Sequence, residues 1–449
     1  MRLNFIQSII FFFLGLIICG LFYMQIIHGG YYHHLSVNNH IRVVPIDGPR
    51  GRIFDRNGII LADNRIVFHV GVIPQDVENK KAIFNYLGQM LDRDPDFLEG
   101  QFEHKKNASF APVILAQDIS RDLAVKIEEE KFVYPGLIVQ QGFERYYPFT
   151  EAGAHVLGYV GKIDEDEIQD NQQYGYSPMS FVGKTGVEKR FDSFLQGVPG
   201  GRQIEVDSRG AQVRLLGLKD PQAGEDVALT IDQRVQNSAQ ELLGARRGSI
   251  VVMDLTNGDL ISLVSSPSYD PSHPAAYFND PLTPLFNRAV SGQYPPGSVF
   301  KIPLALAAIQ LHKITAGTTY DCPGFMMVGH RKFACSHVHG IQDLEAALAH
   351  SCNFYFYHVG LLVTPPIIGA FAKAFGLTRT TGVDLPFEAK GNLVTKAPLG
   401  GSWYTGDTLN LSIGQGYTLT TPLQLTEFSD VPPYSKNTQK TIPALGDLV

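Results

Sequence analysis

Hydrophobic and polar positions follow different patterns in successive parts of this 449-residue chain. From Ile9 to Ile27 nearly every position is apolar, and no Asp, Glu, Lys or Arg lies between Arg2 and Arg42. Because this run is long enough to span a bilayer, we predict a cytoplasmic tip and a transmembrane anchor over residues 1–30. A cleaved signal peptide is the alternative, but no small-x-small cleavage site follows the run. An uncleaved anchor behind a basic N-terminus places the bulk of the chain outside the cytoplasm.

The next part of the chain, residues 31–222, mixes strand and helix patterns. Val67–Val72 and Ile204–Val213 are predicted strands. Lys81–Asp92 and Ile119–Glu130 repeat their apolar positions at helical spacing, which predicts amphipathic helices. Together these patterns predict a mixed, β-rich domain.

A second domain is predicted for residues 223–428, after the turn-rich segment Asp220–Gly224. The β-branched runs Gly248–Asp254 and Leu260–Ser265 are joined through Asn257-Gly258, which is a strong hairpin signal. Helical patterns on both sides of this hairpin predict a mixed α/β domain. Hydrophobic residues make up 44% of the chain and charged residues 18%, as in a globular protein. The net charge of -7 gives no reason to expect nucleic acid as a partner.

A Ser-x-x-Lys pattern, Ser298 to Lys301, follows a Pro-Pro-Gly turn and precedes the apolar run Ile302–Ile309. The Gly-Ser junction predicts a helix start, and residues three apart share a helix face. A serine hydroxyl needs a neighbouring base to become a nucleophile, and burial can lower the pKa of a lysine enough for that task. The pattern predicts an acylation centre, although Ser-x-x-Lys alone occurs by chance in most chains of this size.

A second hydroxyl and a carboxamide occur together in Ser351-Cys352-Asn353. Leu344, Leu348, Ser351 and Tyr355 follow helical spacing, so we place this tripeptide on a helix or at its end. Both side chains can form hydrogen bonds, the hydroxyl within the proton network of a nucleophile and the carboxamide with a substrate amide.

Several motifs in order along the chain resemble those of one family. They are Arg50–Gly58 (RGRIFDRNG), His155–Tyr159, Asn287–Ala289, the serine tetrad, and Gly414–Gly416. The chain resembles a class B penicillin-binding protein, closest to the elongation type called penicillin-binding protein 2. The resemblance implies a single-pass inner-membrane protein of multidomain α/β fold, with a periplasmic pedestal (dimerisation-type) domain and a penicillin-binding, serine β-lactamase-like transpeptidase domain. The family consists of D,D-transpeptidases that cross-link peptidoglycan stem peptides and are acylated by β-lactams, and the resemblance implies the same activity for this chain.

The resemblance implies a role for each residue of the two motifs. Ser298 attacks the carbonyl of the penultimate D-alanine of a donor stem peptide, and Lys301 takes the serine proton. Ser351 relays a proton to the leaving D-alanine, while Asn353 holds the substrate amide. The backbone N–H of Ser298 supplies half of the oxyanion hole, and the acyl transfer itself requires no cofactor.

The resemblance also implies a third motif, Lys-Thr/Ser-Gly, on a strand after Gly416. The sequence has no such motif there, and residues 429–449 form a tail that we leave unassigned. Lys184-Thr185-Gly186 spells the motif but precedes the nucleophile, and by the resemblance it belongs to the pedestal. By the resemblance, the strand that carries this motif supplies the other half of the oxyanion hole. Because removing one oxyanion-hole donor costs roughly 3–4 kcal/mol, we expect this chain by itself to be an incomplete, impaired transpeptidase.

A cysteine- and histidine-rich stretch precedes and includes the second motif. Cys322, Cys335, His339 and Cys352 make a Cys3His set that is typical of structural zinc, and some elongation-type relatives resemble this chain in carrying a metal site in the same stretch. His337 is a competing ligand. A disulfide, which would leave one of the three cysteines unpaired, and small buried thiols are the alternatives.

The resemblance implies stem peptides, β-lactams, a membrane glycosyltransferase and other proteins of the elongation machinery as partners. Besides the transpeptidase, two functions remain open. One is a non-catalytic, membrane-anchored scaffold for the glycosyltransferase, which needs no third motif. The other is a β-lactam sensor or lactamase-like hydrolase, against which the long pedestal and the lack of a recognisable deacylating carboxylate motif argue.

Overall fold

The computed structural model describes residues 2–28, 41–46, 48–105, 112–170, 180–206, 212–397 and 401–429. The chain divides into two compact units. The first consists of Met1–Arg52, Asp63–Tyr146 and Phe194–Asp226, and the second of Ile53–Ala62, Tyr147–Ser193 and Val227–Val449. The predicted boundary after residue 222 stays a prediction, and the predicted tail lies, from residue 430 onward, outside the described residues.

Helices and strands are mixed along both units. The strands are β1 (Ile41–Ile46), β2 (Ile53–Phe54), β3 (Ile60–Val72), β4 (Val113–Ile119), β5 (Leu137–Tyr146), β6 (Val160–Lys162), β7 (Phe181–Gly183), β8 (Gly200–Val206), β9 (Gln212–Lys219), β10 (Val227–Ala228), β11 (Gly248–Met253), β12 (Leu260–Ser266), β13 (Tyr320–Cys322), β14 (Phe325–Val328), β15 (Arg331–Ala334) and β16 (Gly340–Gln342). The helices are α1 (Arg2–Phe22), α2 (Lys80–Leu91), α3 (Pro95–Lys105), α4 (Arg121–Glu130), α5 (Ala154–Leu157), α6 (Glu165–Asp170), α7 (Gly186–Arg190), α8 (Asp192–Leu195), α9 (Gln233–Leu243), α10 (Lys301–Gln310), α11 (Leu344–Ala349), α12 (Asn353–Val363), α13 (Pro365–Ala374), α14 (Thr405–Ser412) and α15 (Pro422–Ser429).

Helix α1 covers much of the predicted anchor, and its side chains from Phe12 to Phe22 are exposed. Over the described part of the chain, no single helix meets the length and hydropathy expected of a membrane span. The consecutive helices α12 and α13 reach this length and hydropathy only when they are taken together. The chain bends by 101° at the break between these two helices. The transmembrane anchor therefore stays a prediction.

The first unit has its core where β3, β4 and β5 pack against α2, α3 and α4. β3 pairs antiparallel with both β4 and β5. The side chain of Asn79 accepts a hydrogen bond from Ala82 N and thereby starts α2, as an N-cap residue does. Apolar side chains spaced along α2, among them Ile83 and Leu87, are buried in this core, which matches the predicted amphipathic helix.

One strand prediction in the first unit is wrong. Ile204–Val213 is not one strand: it contains the end of β8, the undescribed residues 207–211 and the start of β9. β8 pairs antiparallel with β9 on one side and with β1 on the other. Ile204 and Val206 belong to β8 and Val213 to β9, so the apolar positions of this segment come from two paired strands and not from one.

The second unit is built around an apolar helix, α10. Buried residues of α10, α12 and α13 form one hydrophobic core, with Leu304, Phe356 and Phe371 among its members. β11 and β12 pair antiparallel, from Gly248 opposite Ser266 onward, as predicted for this hairpin. The predicted α/β character of this domain follows from these helices and strands, and the core holds the N-terminal end of α10 in place.

Candidate active site

Ser298 lies on a short 3-10 turn, Gly297–Phe300, and α10 begins directly after it at Lys301. The predicted helix therefore starts as a tighter turn, which still keeps Ser298 and Lys301 three residues apart on one helical path. The backbone N–H of Gly297 donates a hydrogen bond to Gly414 O at 2.9 Å. This bond ties the serine turn to a distant segment of the chain.

Gly414 is a residue whose role the sequence did not reveal. Its φ is +65°, and a Cβ atom there would lie 2.3 Å from Gly297 O and 2.7 Å from the Cβ of Phe300. Only glycine combines a positive φ with such a close backbone approach. The Gly414–Gly416 motif is therefore explained, at its first position, by contact with the turn that carries the nucleophile.

Lys301 is 1% exposed and its ammonium group reaches the second motif. Nζ donates to Ser351 O at 2.7 Å, to Ser351 Oγ at 3.0 Å and to Asn353 Oδ1 at 2.7 Å. Burial lowers the pKa of Lys301 to about 8, although the nearby thiols of Cys335 and Cys352 act in the opposite direction. A substantial fraction of this lysine is therefore neutral near physiological pH and can accept a proton.

Ser351 connects the lysine with the nucleophile. Its Oγ donates to Ser298 Oγ at 2.7 Å, and the same Oγ accepts from Lys301 Nζ. The three polar groups form a continuous chain from the serine hydroxyl to the lysine amine. This arrangement brings together Ser298, Lys301 and Ser351 as predicted, with the lysine reaching the nucleophile through the second hydroxyl.

The backbone at Ser351 has a conformation that the sequence pattern did not predict. Ser351 has a φ of +53°, in the left-handed region, between the end of α11 at Ala349 and the start of α12 at Asn353. The helical spacing that was extended from Leu344 to Tyr355 is thus broken at Ser351, because a left-handed residue ends an α-helix. Such conformations are strained for residues other than glycine and are concentrated at functional sites.

Four potential metal ligands lie next to the second motif. The ligand atoms of Cys322, Cys335, His339 and Cys352 all lie within 4.8 Å of one another. Nδ1 of His339 is 3.6 Å from Cys322 Sγ and 3.5 Å from Cys335 Sγ, and the sulfurs of Cys335 and Cys352 are 3.9 Å apart. All three thiols are free in this structure. The predicted donor set is thus assembled, and His337 is not part of this four-residue group.

The cluster is joined to Asn353 through the backbone. Asn353 N donates to Cys335 Sγ at 3.1 Å, and Cys352 is the residue between Ser351 and Asn353. Cys322 and Cys352 are both fully buried. Three sulfurs and one imidazole nitrogen are the donors of a closed tetrahedral zinc site, so the residues present fit a structural zinc ion.

The other Lys-Thr-Gly sequence lies in a structural setting. Lys184 forms an ion pair with Glu167, and its Nζ lies 3.6 Å from Asp164 Oδ2. A Cβ atom added to Gly158 would lie 1.9 Å from Thr185 O, so the backbone of this motif packs against another glycine. Lys184 is thus held in ion pairs, and the backbone at Thr185 packs against Gly158.

Two family models match the chain. Residues 45–229 match the penicillin-binding protein dimerisation domain, and residues 248–431 match the penicillin binding protein transpeptidase domain. The second match contains the serine tetrad, the Ser351–Asn353 motif and Gly414.

Individual proteins that are similar to this chain are also penicillin-binding proteins or peptidoglycan D,D-transpeptidases. The peptidoglycan D,D-transpeptidase MrdA of Escherichia coli strain K12 is 33% identical over 92% of this chain and 69% of its own length. The protein of the same name from Acinetobacter baumannii is 34% identical over 93% of this chain and 66% of its own length. A solved complex between the penicillin-binding protein PBP2 and MreC from Helicobacter pylori matches with a TM-score of 0.76 and 29% identity, over 86% of this chain and 76% of that one.

The two domains and the serine site define a class B penicillin-binding protein. The chain belongs to the elongation-type, PBP2-like family of peptidoglycan D,D-transpeptidases. The predicted family and the two-domain, mixed α/β fold are thereby confirmed. The roles of the individual site residues, the zinc ion and the membrane anchor stay predictions.

Proposed function

We propose that this chain is the acyl-transfer enzyme of peptidoglycan cross-linking during cell elongation, with Ser298 as its nucleophile. The observation that carries this proposal is the chain of contacts from Ser298 Oγ through Ser351 Oγ to a buried Lys301 whose pKa is lowered to about 8. The hydroxyl of Ser298 is thus within hydrogen-bonding distance of the relay, and the relay is within hydrogen-bonding distance of the base, as nucleophilic catalysis requires.

Acylation begins when Ser298 Oγ attacks the carbonyl carbon of the penultimate D-alanine in a donor stem peptide. The serine proton passes by way of the Ser351 hydroxyl to neutral Lys301, and the backbone N–H of Ser298 donates to the developing oxyanion. The bond to the terminal D-alanine then breaks, and its amine leaves with a proton returned by Lys301 through Ser351. The product is an ester between Ser298 and the stem peptide.

Deacylation completes the cross-link. The amine of an acceptor stem peptide attacks the ester carbonyl, gives a proton to the relay and forms a new amide bond, while Ser298 Oγ recovers its proton. A β-lactam reacts by the first step only, because its opened ring stays attached to the ester. Asn353 accepts from Lys301 through Oδ1, and we assign one N–H of its carboxamide to the substrate amide.

Mass mapping of a labelled penicillin adduct tests this proposal. We expect the label on the proteolytic peptide that contains Ser298, and none on Ser298→Ala protein of equal thermal stability. Label on another residue would overturn the assignment of the nucleophile. Folded parent protein that takes no label would contradict the enzyme and favour the anchored scaffold as the function of this chain.

The rate of acylation should depend on pH through Lys301. The neutral amine is the active form, and its fraction rises as the pH increases through a pKa of about 8. We therefore expect the rate to rise by about tenfold per pH unit below that value and to level off above it. The acylation rate is measured by quenching the reaction with a labelled penicillin at set times between pH 6 and pH 9. A rate that does not change with pH would contradict the assignment of Lys301 as the base.

We also propose that Cys322, Cys335, His339 and Cys352 hold a structural zinc ion. A bound zinc would balance the charge of the thiolates and fix the loop that carries Cys352. Because Cys352 lies between Ser351 and Asn353, this loop sets the positions of two active-site side chains. Small displacements of catalytic groups are costly in rate, so the site acts on catalysis through geometry.

Zinc content and acylation should fall together. We expect about one zinc per chain by elemental analysis of the purified protein, and loss of the metal in Cys322→Ser and His339→Ala. Loss of zinc should slow penicillin acylation by up to about 100-fold. His337→Ala is the matched control, because His337 is a neighbouring histidine outside the four-residue group. Equal acylation rates with and without metal would contradict this role.

The remaining assignments concern location and partners. We propose that residues 1–30 anchor the chain in the inner membrane and that residues 31–222 form the periplasmic pedestal, followed by the transpeptidase domain over 223–428. The exposed apolar side chains from Phe12 to Phe22 support the anchor, since lipid would cover them. The Helicobacter pylori complex with MreC supports elongation-machinery partners, and we propose a membrane glycosyltransferase as a further one.

A further inference from the structure

We propose that Tyr357 is a positioning residue for Asn353, an inference that rests on the proposed function. The Tyr357 hydroxyl holds the backbone carbonyl of Ala334, and this carbonyl determines which way the Asn353 carboxamide faces. Tyr357 itself belongs to neither catalytic motif.

Two donors from α12 meet on one acceptor. Tyr357 Oη donates to Ala334 O at 3.2 Å, and Asn353 Nδ2 donates to the same oxygen at 3.4 Å. The two residues are four positions apart in α12, so their side chains lie on the same face of the helix. Ala334 is the last residue of β15, and its carbonyl is thus fixed against the first turn of α12.

The orientation of the Asn353 carboxamide matters because its two ends are chemically opposite. Oδ1 accepts from Lys301 Nζ at 2.7 Å, while Nδ2 faces the Ala334 carbonyl. In the flipped orientation the amide N–H groups would face the lysine ammonium and Oδ1 would face another carbonyl oxygen, so both contacts would be repulsive. The Ala334 carbonyl, when held in this position, therefore favours the orientation in which Asn353 Oδ1 accepts from Lys301 Nζ.

Tyr357 is well suited to hold that carbonyl. It is 3% exposed and belongs to a hydrophobic cluster with Phe333 and Leu409. The Phe333 ring packs edge-on against it, with centroids 6.1 Å apart. Burial raises the pKa of Tyr357 to about 12, so the hydroxyl keeps its proton and remains a donor. Ala334 is exposed at the end of its strand, where water would compete for the carbonyl once the hydroxyl was gone.

Tyr355 offers a matched control on the same helix. It is fully buried, and its hydroxyl donates to another backbone carbonyl, Thr318 O, at 3.1 Å. It lies two positions before Tyr357 and hence on a different face of α12. Tyr355→Phe and Tyr357→Phe each remove one hydroxyl from a buried ring, but only the second removes a contact with the carbonyl that Asn353 also uses.

The first experiment measures both the rate constant and the final stoichiometry of labelling by a penicillin. For Tyr357→Phe we expect an acylation rate constant roughly three- to tenfold lower, as for the loss of one neutral hydrogen bond, with unchanged stoichiometry. Tyr355→Phe should keep the parent rate constant. A loss of stoichiometry alone would mean that Tyr357 only stabilises the fold and would overturn the inference, as would an unchanged rate constant.

A double-mutant cycle tests whether Tyr357 acts through Asn353. In an Asn353→Ala background, labelled over hours, Tyr357→Phe should cause no further loss, because the carboxamide that it orients is absent. An additional loss equal to that in the parent would show that the two residues act independently, which contradicts the proposal.

A spectroscopic readout separates this inference from the proposed function. In protein labelled with 15N-asparagine, the Asn353 side-chain amide signal is identified by its loss in Asn353→Ala. We expect this signal to move in Tyr357→Phe and to stay in place in Tyr355→Phe, whether or not the protein takes the penicillin label. Failure of Ser298-dependent labelling would overturn the proposed function, whereas an unmoved Asn353 signal would overturn the role of Tyr357.

Discussion

Replacing Lys301 with methionine should slow penicillin acylation of Ser298 by about 10²- to 10⁴-fold, the contribution that positioned general bases typically make. Methionine has nearly the length of lysine but cannot accept a proton. Because Lys301 is 1% exposed and donates to Ser351 O, Ser351 Oγ and Asn353 Oδ1, the variant also leaves three acceptors without this donor. The rate constant should therefore be measured on the folded fraction, defined by a thermal melt.

Two further variants separate the base from the positive charge. Lys301→Arg keeps a cation near Ser351 and Asn353 but cannot lose its proton at these pH values, so it should be slowed about as much as Lys301→Met. Lys313→Met removes an exposed lysine just after the end of α10 and should leave the rate unchanged. If Lys301→Arg labelled at the parent rate, the lysine would act through its charge and the general-base assignment would be wrong.

Replacing Gly414 with alanine should destabilise the transpeptidase domain by about 2–4 kcal/mol, because a strained φ and an overpacked contact add at one position. The new Cβ would lie 2.3 Å from Gly297 O, in a backbone with φ of +65°. The two nearest atoms, Gly297 O and the Cβ of Phe300, are not at the end of a flexible side chain, so the serine turn must move. We expect a lower melting temperature and, in the fraction that stays folded, slower acylation.

Gly317→Ala is the control for this prediction. Gly317 lies in the same compact unit, its added Cβ would meet nothing within 4 Å, and its φ is not in the left-handed region. Its melting temperature and acylation rate should match those of the parent. A melting temperature of Gly414→Ala equal to that of Gly317→Ala would show that the turn at Ser298 does not depend on close approach by Gly414.

Local patterns in the sequence predicted the parts of the site that local chemistry controls. The Asn257-Gly258 turn between β11 and β12 formed as expected. The spacing of Ser298 and Lys301 placed both at the start of a buried helix. The Cys3His set was predicted from residue types and from the resemblance to relatives with a metal site in the same stretch, and its four ligand atoms do lie together.

Contacts between distant segments and local backbone strain could not be predicted in this way. The approach of Gly414 to Gly297 and that of Tyr357 to Ala334 depend on the folded chain, and no periodicity encodes them. The positive φ of Ser351 is likewise invisible to a helical pattern that continues on both sides of it. The compact units also interleave along the chain, whereas a sequence is divided most simply into consecutive segments.

The left-handed backbone of Ser351 restricts the substitutions that would keep the proposed link between Ser298 and Lys301. Glycine, asparagine and aspartate accept such a backbone readily, but they lack the hydroxyl that joins Ser298 to Lys301. Threonine keeps a hydroxyl, and although β-branched residues are disfavoured at positive φ, four threonines adopt such a backbone elsewhere in the described residues. Threonine is thus the replacement at Ser351 that we expect to keep both the backbone and the hydroxyl, and under β-lactam selection we expect the other replacements at this position to lose the proposed proton relay.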